Sequence, residues 1–215
     1  MNRGGIILCG GRSSRMGMAK LTLPFGPERM LERIVRLLGA VCRPIVVVAA
    51  SEQELPALPE GVVIARDRRE GRGPLEGLWA GLAALPEEVE AAYATSCDVP
   101  LLVPGFVRRM FELLGDDSAA VPVSGGFLHP LSAVYRRGLL DLIDQLLAAE
   151  RMRPAYLFDI VATRRVAERE LTDVDPRLTT LKNLNRPADY LAALAEAGFA
   201  APSELLAKLT ASNEG

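Results

Sequence analysis

A chain of 215 residues, 49% of them hydrophobic, has the apolar material for one domain with a sizeable core, or one domain with a small extension. Its 25 basic and 27 acidic residues leave a net charge of −2, which argues against a general nucleic-acid or membrane-surface binder. Cys9, Cys42 and Cys97 are odd in number and lack paired metal spacing, so they read as reduced, buried thiols. The most apolar run, residues 45–50, is too short to span a bilayer, and the start of the chain lacks a signal-peptide core. A soluble, cytoplasmic protein is expected.

The first predicted element is a short buried strand over residues 5–9, and the loop after it dominates the reading. Cys9-Gly10-Gly11-Arg12-Ser13-Ser14-Arg15-Met16-Gly17-Met18-Ala19-Lys20 combines paired glycines, two hydroxyls and three cationic side chains. Glycines let backbone N–H groups approach a ligand closely, and successive N–H groups form an anion-binding concavity. Arg12, Arg15 and Lys20 add full charge, so the natural guest is a polyphosphate. Neither the Walker A spacing nor the dinucleotide glycine triplet is present.

Residues 21–25 read as a short extended piece, and Pro27 as the start of a helix that stops near Gly39. Ile45-Val46-Val47-Val48 is a β-branched run without polar alternation, as in strands buried on both faces of a parallel sheet. A third strand over 62–65 ends near Asp67. The glycine-rich segment 71–77 then feeds a helix carrying Leu78, Leu82 and Leu85, with Trp79 expected in the core. A fourth strand over 91–96 ends at Cys97-Asp98-Val99-Pro100, followed by a helix over 104–114 and a strand over 119–123. Alternating strands and helices predict βαβ units, so the first half reads as a doubly wound α/β sheet. The second half is less regular: a turn at Gly125-Gly126, a strand or loop over 127–135, a helix over 139–149, a late strand over 164–168 and a helix from Pro187 through Ala197. Residues 1–200 read as a single domain, and 201–215 as a helical extension with a loose tail.

Ligands of open α/β sheets lie beyond the carboxyl ends of the strands where the strand order reverses. If the chain winds first one way and then the other, the loops after the first and fourth strands become neighbours. Asp98 then faces the phosphates held by Gly10, Gly11, Arg15 and Lys20, with Mg²⁺ between carboxylate and phosphate. The simpler reading of Asp98 is a turn or capping residue. Segment 71–77 offers backbone groups to a planar base, or is merely a loop into a helix. Asn183 and Asn185 either present amides to phosphate and metal-bound water or cap the next helix. His129, the only histidine, is an acid–base candidate or a structural residue.

Taken together, Leu8-Cys9-Gly10-Gly11-Arg12-Ser13-Ser14-Arg15-Met16-Gly17 with Lys20, Gly73-Pro74-Leu75-Glu76-Gly77, Cys97-Asp98-Val99-Pro100, His129-Pro130 and Asn183-Leu184-Asn185-Arg186-Pro187 resemble the molybdenum cofactor guanylyltransferase family of the MobA kind. The resemblance spans roughly residues 4–195. It implies a Rossmann-like, mostly parallel doubly wound α/β sheet of the nucleotide-diphospho-sugar transferase fold, and transfer of GMP from GTP to molybdopterin, with release of pyrophosphate. It assigns Leu8, Gly10, Gly11, Lys20, Asp67 and Asp98 to GTP, and Asp98 to Mg²⁺. Cys9, Gly73, Pro74 and Leu75 complete the expected nucleotide site. Lys20, Arg15 and Asp98 are the expected catalytic residues, and His129, Asn183 and Asn185 the supporting or acceptor-side ones. Proteins of molybdenum cofactor biosynthesis are the implied partners. The chain departs from the family at Cys9, where alanine is usual, at Ala19, where aspartate is frequent, and at Ala49-Ala50, where an asparagine often serves the nucleotide. Two other readings stay open: a cytidylyltransferase acting on molybdopterin or a sugar or polyol phosphate, and a non-catalytic nucleotide-binding regulator.

Overall fold

A computed structural model describes residues 1–10, 20–69, 71–202 and 205. In chain order the strands are β1 (Arg3–Leu8), β2 (Pro24–Phe25), β3 (Glu28–Arg29), β4 (Ile45–Ala49), β5 (Val62–Arg66), β6 (Ala91–Ser96), β7 (Ala119–Ser124), β8 (Phe127–Leu128), β9 (Ser132–Arg136) and β10 (Thr163–Ala167). The helices are α1 (Met30–Gly39), α2 (Pro74–Ala83), α3 (Pro104–Leu113), α4 (Leu140–Ala148), α5 (Ala155–Phe158) and α6 (Pro187–Glu196).

Eight strands form one sheet in the order β10-β7-β9-β6-β1-β4-β5, with β8 added to β7. β1 pairs in parallel with β4 on one side and with β6 on the other. β4 continues in parallel to β5, while β9 runs antiparallel between β6 and β7. This is the expected mostly parallel sheet whose winding reverses beside β1.

The apolar runs fill both faces of the sheet. Successive strand residues point to opposite sides, so Ile7 and Val47 join Leu31, Ile34, Phe106 and Met110 beneath α1 and α3. Ile6, Val46 and Val48 join Leu78, Leu82, Ile143 and Leu147 beneath α2 and α4. A third cluster docks α6 onto the small β2–β3 hairpin through Leu23, Phe25, Tyr190 and Leu194, with Leu205 of the extension against it. Phe25 meets Tyr190 and Phe199 edge-on.

Four local expectations change. Pro27 starts no helix: Gly26, at φ 66°, turns the β2–β3 hairpin, and α1 begins at Met30. The Glu32 carboxylate there accepts the Arg29 N–H at 2.9 Å and so satisfies a donor of the helix start. Residues 20–22 form a 3-10 turn rather than extended chain. No helix joins β4 to β5, so alternation is not complete, and β5, at the sheet edge, leaves Val63 and Ile64 exposed. Trp79 is only half-buried, with the Arg68 guanidinium 3.3 Å above its ring. The short helix α5 carried no sequence signal.

Gly77 and Gly81, one turn apart on α2, let that helix lie directly on β1. A Cβ on Gly77 would stand 2.6 Å from Cδ2 of Leu8, and one on Gly81 would stand 2.4 Å from Cγ2 of Ile6. Gly81→Val is therefore expected to destabilise the protein by about 1–3 kcal/mol through overpacking. Urea unfolding followed by circular dichroism measures this, and a variant as stable as the parent contradicts the close approach.

Candidate active site

The ends of β1 and β6 are set side by side by the backbone. Leu8 is in register with Ser96, and the Cys97 N–H donates to the Leu8 carbonyl at 3.0 Å. Asp98, two residues past β6, points its carboxylate toward the segment that returns from the glycine loop. There the Lys20 ammonium donates to Asp98 Oδ2 at 2.9 Å and to Asn185 Oδ1 at 3.1 Å. Asp98 Oδ1 accepts from the Ser96 hydroxyl and, at 3.4 Å, from Asn183 Nδ2. The Leu184 N–H reaches the Asp98 carbonyl at 2.9 Å. Lys20, Asp98, Asn183 and Asn185 thus converge, although 165 residues separate Lys20 from Asn185. The Lys20 and Asp98 side chains keep only 15% and 13% of their surface exposed, so the charges are shielded yet reachable.

The arm carrying both asparagines is tied down by Asp175, which is 2% exposed. Its carboxylate accepts the Thr179 and Thr180 N–H groups at 3.0 and 2.9 Å and the Thr180 hydroxyl at 2.8 Å. The Thr180 Oγ1 in turn accepts the Val103 N–H at 3.0 Å, which fastens the arm to the loop after Asp98. Sequence reasoning missed Asp175, Ser96 and Gln53. Ser96 had a signal, because residues two apart at a strand end share a face with each other. Gln53 donates from Nε2 to the Cys9 carbonyl at 3.0 Å, so an amide does contact the first loop despite Ala49 and Ala50.

A cleft of about 400 Å³ opens beside this cluster. Leu8, Gly10, Asp67, Gly73 and Pro74 line it, together with Val48 of β4. Gly71 and Gly73 have φ of 77° and 74°, a conformation natural to glycine, which brings bare backbone to the cleft wall. A Cβ on Gly10 would stand 3.6 Å from Asp67 Oδ2, so the two loops are neighbours across it.

Some expected residues lie elsewhere. The Leu75 side chain is fully buried in the core, and Cys9 is buried against Cys97. The hydrogen bond with Cys97, reinforced by burial, holds the Cys9 thiol well above its usual pKa, which makes it inert. His129 bonds toward the β7–β8 hairpin: its N–H donates to the Pro122 carbonyl at 3.0 Å. Burial pushes its imidazole pKa down, against the opposing pull of the Ser124 backbone and the Glu168 carboxylate. Gly11 and Arg15 lie outside the described residues.

The donors fit a hard dication that takes few protein ligands. Among the described residues no three His, Cys, Asp or Glu side chains cluster. Asp98 offers one carboxylate, with the Ser96 hydroxyl and the Asn185 amide oxygen nearby. That set suits Mg²⁺, which takes one or two carboxylates and completes its shell with phosphate oxygens and water.

A mostly parallel sheet with a cleft at its winding reversal is the architecture of the nucleotide-diphospho-sugar transferases. Molybdopterin-guanine dinucleotide biosynthesis protein A of Archaeoglobus fulgidus superposes with a TM-score of 0.75 at 18% identity, over 91% of this chain and 98% of that one. The 2-C-methyl-D-erythritol 4-phosphate cytidylyltransferase of Thermus thermophilus superposes with a TM-score of 0.66 at 17% identity, over 92% and 100%. At those identities the likeness establishes the fold.

The family follows from sequence. Residues 5–168 match the MobA-like NTP transferase domain, and the chain belongs to that family of nucleotidyltransferases. A Mycobacterium avium protein named "Probable molybdenum cofactor guanylyltransferase" is 37% identical over 202 residues, 92% of this chain and 97% of that protein. A protein of the same name from Pelotomaculum thermopropionicum is 32% identical over 193 residues, 88% and 90%.

Lys20→Ala is expected to lower nucleotidyl transfer by about 10²–10³-fold, by analogy with the loss of one preorganised donor at a reacting centre. Asp98 keeps Ser96 and Asn183, so the loss of stability stays at about 1–2 kcal/mol, below the roughly 3–5 of a broken fully buried pair. Steady-state rates and thermal unfolding of the purified variant check both halves. Full activity would remove Lys20 from the site.

Proposed function

We propose that this protein transfers GMP from GTP to the terminal phosphate of molybdopterin, releasing pyrophosphate and forming molybdopterin guanine dinucleotide. The observation that carries the proposal is the Lys20–Asp98 pair at the winding reversal, beside a base-sized cleft. The names of the relatives, at 32% and 37% identity over most of both chains, support guanine as the base and molybdopterin as the acceptor.

The chemistry asks for no side-chain base. The attacking acceptor phosphate is already ionised at neutral pH. Its oxygen forms a bond to the α-phosphorus of GTP, and the bond from that phosphorus to the bridging oxygen breaks. The electron pair leaves with pyrophosphate. The barrier is the approach of an anion to an anion and the charge collecting on the leaving group, so cations and alignment decide the rate. Lys20 exchanges the Asp98 carboxylate for the α-phosphate. Arg15, in the same loop by sequence, grips the β- and γ-phosphates. Ser96 and Asn183 hold Asp98 Oδ1, which leaves Oδ2 aimed into the site. Asp98 would hold Mg²⁺, which when bound would supply neutralisation of phosphate charge. The backbone of segment 71–77 and Asp67 read the polar edge of the base, and Asn185 stands on the acceptor side of Lys20.

With molybdopterin and Mg²⁺ present, pyrophosphate release is expected to be faster with GTP than with ATP, CTP or UTP. A base that cannot complete the polar contacts leaves groups unpaired, which costs about 10²-fold or more in kcat/KM. Preference for CTP would favour a cytidylyltransferase, and binding without release would favour a regulator. Asp98→Asn nearly preserves shape while removing the charge. It is expected to keep the circular dichroism spectrum and lose Mg²⁺-stimulated turnover. A folded variant with the parental Mg²⁺ dependence would place the metal elsewhere.

A further inference from the structure

Glu76 is a carboxylate only 2% exposed, in the first turn of α2, and its oxygen accepts from Arg68 Nε at 3.0 Å. A charge so placed is costly unless it is paired. Arg68 is held from two further directions. Its Nη1 donates to Asp144 of α4 at 2.8 Å, and its guanidinium carbon stands 3.3 Å over the Trp79 ring, one turn along α2 from Glu76. A guanidinium over an aromatic face that also donates from two nitrogens is a geometry that lysine does not reproduce. Arg68 is therefore wedged between α2 and α4.

Its neighbours in sequence form the base cleft. Asp67 precedes it, and Gly71, Arg72 and Gly73 follow, all of them lining residues. Pro74 and Gly77, flanking Glu76 on α2, line the same cleft, and a Cβ on Gly77 would stand 3.5 Å from Asp67 Oδ1. The Arg68–Glu76 pair thus ties the segment that carries Asp67 to the start of α2. The far end of the same loop has a second pin: Arg72 donates to the Leu147 carbonyl and, at 3.2 Å, to Glu150, both at the end of α4.

We infer that the Arg68–Glu76 pair is a positioning device that sets base discrimination, by fixing the wall that carries Asp67 relative to the wall formed by α2. The inference rests on the nucleotidyltransferase reading of the cleft and goes beyond it, since neither the Arg68 nor the Glu76 side chain lines the cleft. Hydrogen-bond readout fails when one wall shifts by a fraction of an ångström, because the favoured base then loses the paired contacts that distinguish it. The Lys20–Asp98 pair, which meets beyond the end of β6, is left as it is.

The test compares kcat/KM for the four nucleoside triphosphates, with molybdopterin and Mg²⁺, in the parent and in Glu76→Gln and Asp144→Asn. Glu76→Gln keeps the size and removes the buried charge. It is expected to lower the preference of the parent's favoured nucleotide over the next by about tenfold, mainly through KM, with kcat within about threefold. Asp144→Asn, at an exposed position, is expected to lower the same ratio by a few fold. If Glu76→Gln does not fold, Asp144→Asn decides. An unchanged ratio in the folded variants, even with a lower melting temperature, overturns the inference and makes the pair purely structural. A parent that favours a base other than guanine defeats the guanylyl reading alone, because the ratio is taken on whichever base the parent prefers. A parent with no preference overturns the inference as well.

Discussion

Parallel pairing of β1 with both β4 and β6 is the constraint from which the site follows. Leu8 is in register with Val48 on one side and Ser96 on the other, so three strands end at one edge of the sheet. The loops leaving β1 and β6 have to diverge around a common point. Lys20 and Asp98 meet there, and each shields the charge of the other. On the proposed reading, a bound nucleotide would divide the pair, giving phosphate to the ammonium and a dication to the carboxylate. In the protein itself the two opposite charges sit close together and mostly out of water, so each offsets the electrostatic cost of the other.

Two further devices keep that arrangement in place. Glycines at 77 and 81 trade helix propensity, about 1 kcal/mol each against alanine, for contact between α2 and β1. The contact brings the helix start close enough for its backbone to form a wall of the cleft. At the other end of the chain, Asp175 gathers the donors of Thr179 and Thr180 and fastens the 3-10 turn over Thr179–Leu181, which makes the segment a fixed arm. The α6 helix, docked through Tyr190 and Phe25 onto the hairpin that follows Lys20, holds the arm from behind. Residues distant in sequence therefore reach Asp98 from two independently anchored directions.

Much of this was legible in the sequence because periodicity and topology report it. The β-branched run at 45–48 gave a strand buried on both faces, and the reversal rule brought the loop after 91–96 to the glycine loop. These two facts set Asp98 near the loop that ends at Lys20, while the direct Lys20–Asp98 contact is a finding of the structure. Asp175 was not legible, since its role rests on four hydrogen bonds that leave no periodic trace. Pro27 misled because a proline signals a helix start, while Gly26 before it already commits the chain to a hairpin. Trp79 read as core because apolar spacing cannot reveal that Arg68 covers its ring. The alanines at 49 and 50 suggested a missing amide, and Gln53 supplies one from the following loop. His129 is a motif residue whose bonds face the β7–β8 hairpin, a direction that the sequence does not encode.

The central claim is that the α-phosphoryl group of GTP, with its guanosine, passes to an acceptor phosphate. It is tested most directly by following two labels through one reaction with molybdopterin and Mg²⁺. GTP labelled at the α-phosphorus is predicted to yield label in an acceptor product heavier by one GMP unit. GTP labelled at the γ-phosphorus is predicted to yield label only in pyrophosphate. Label from the γ-position in the acceptor, or free GMP with an unchanged acceptor mass, would contradict the account.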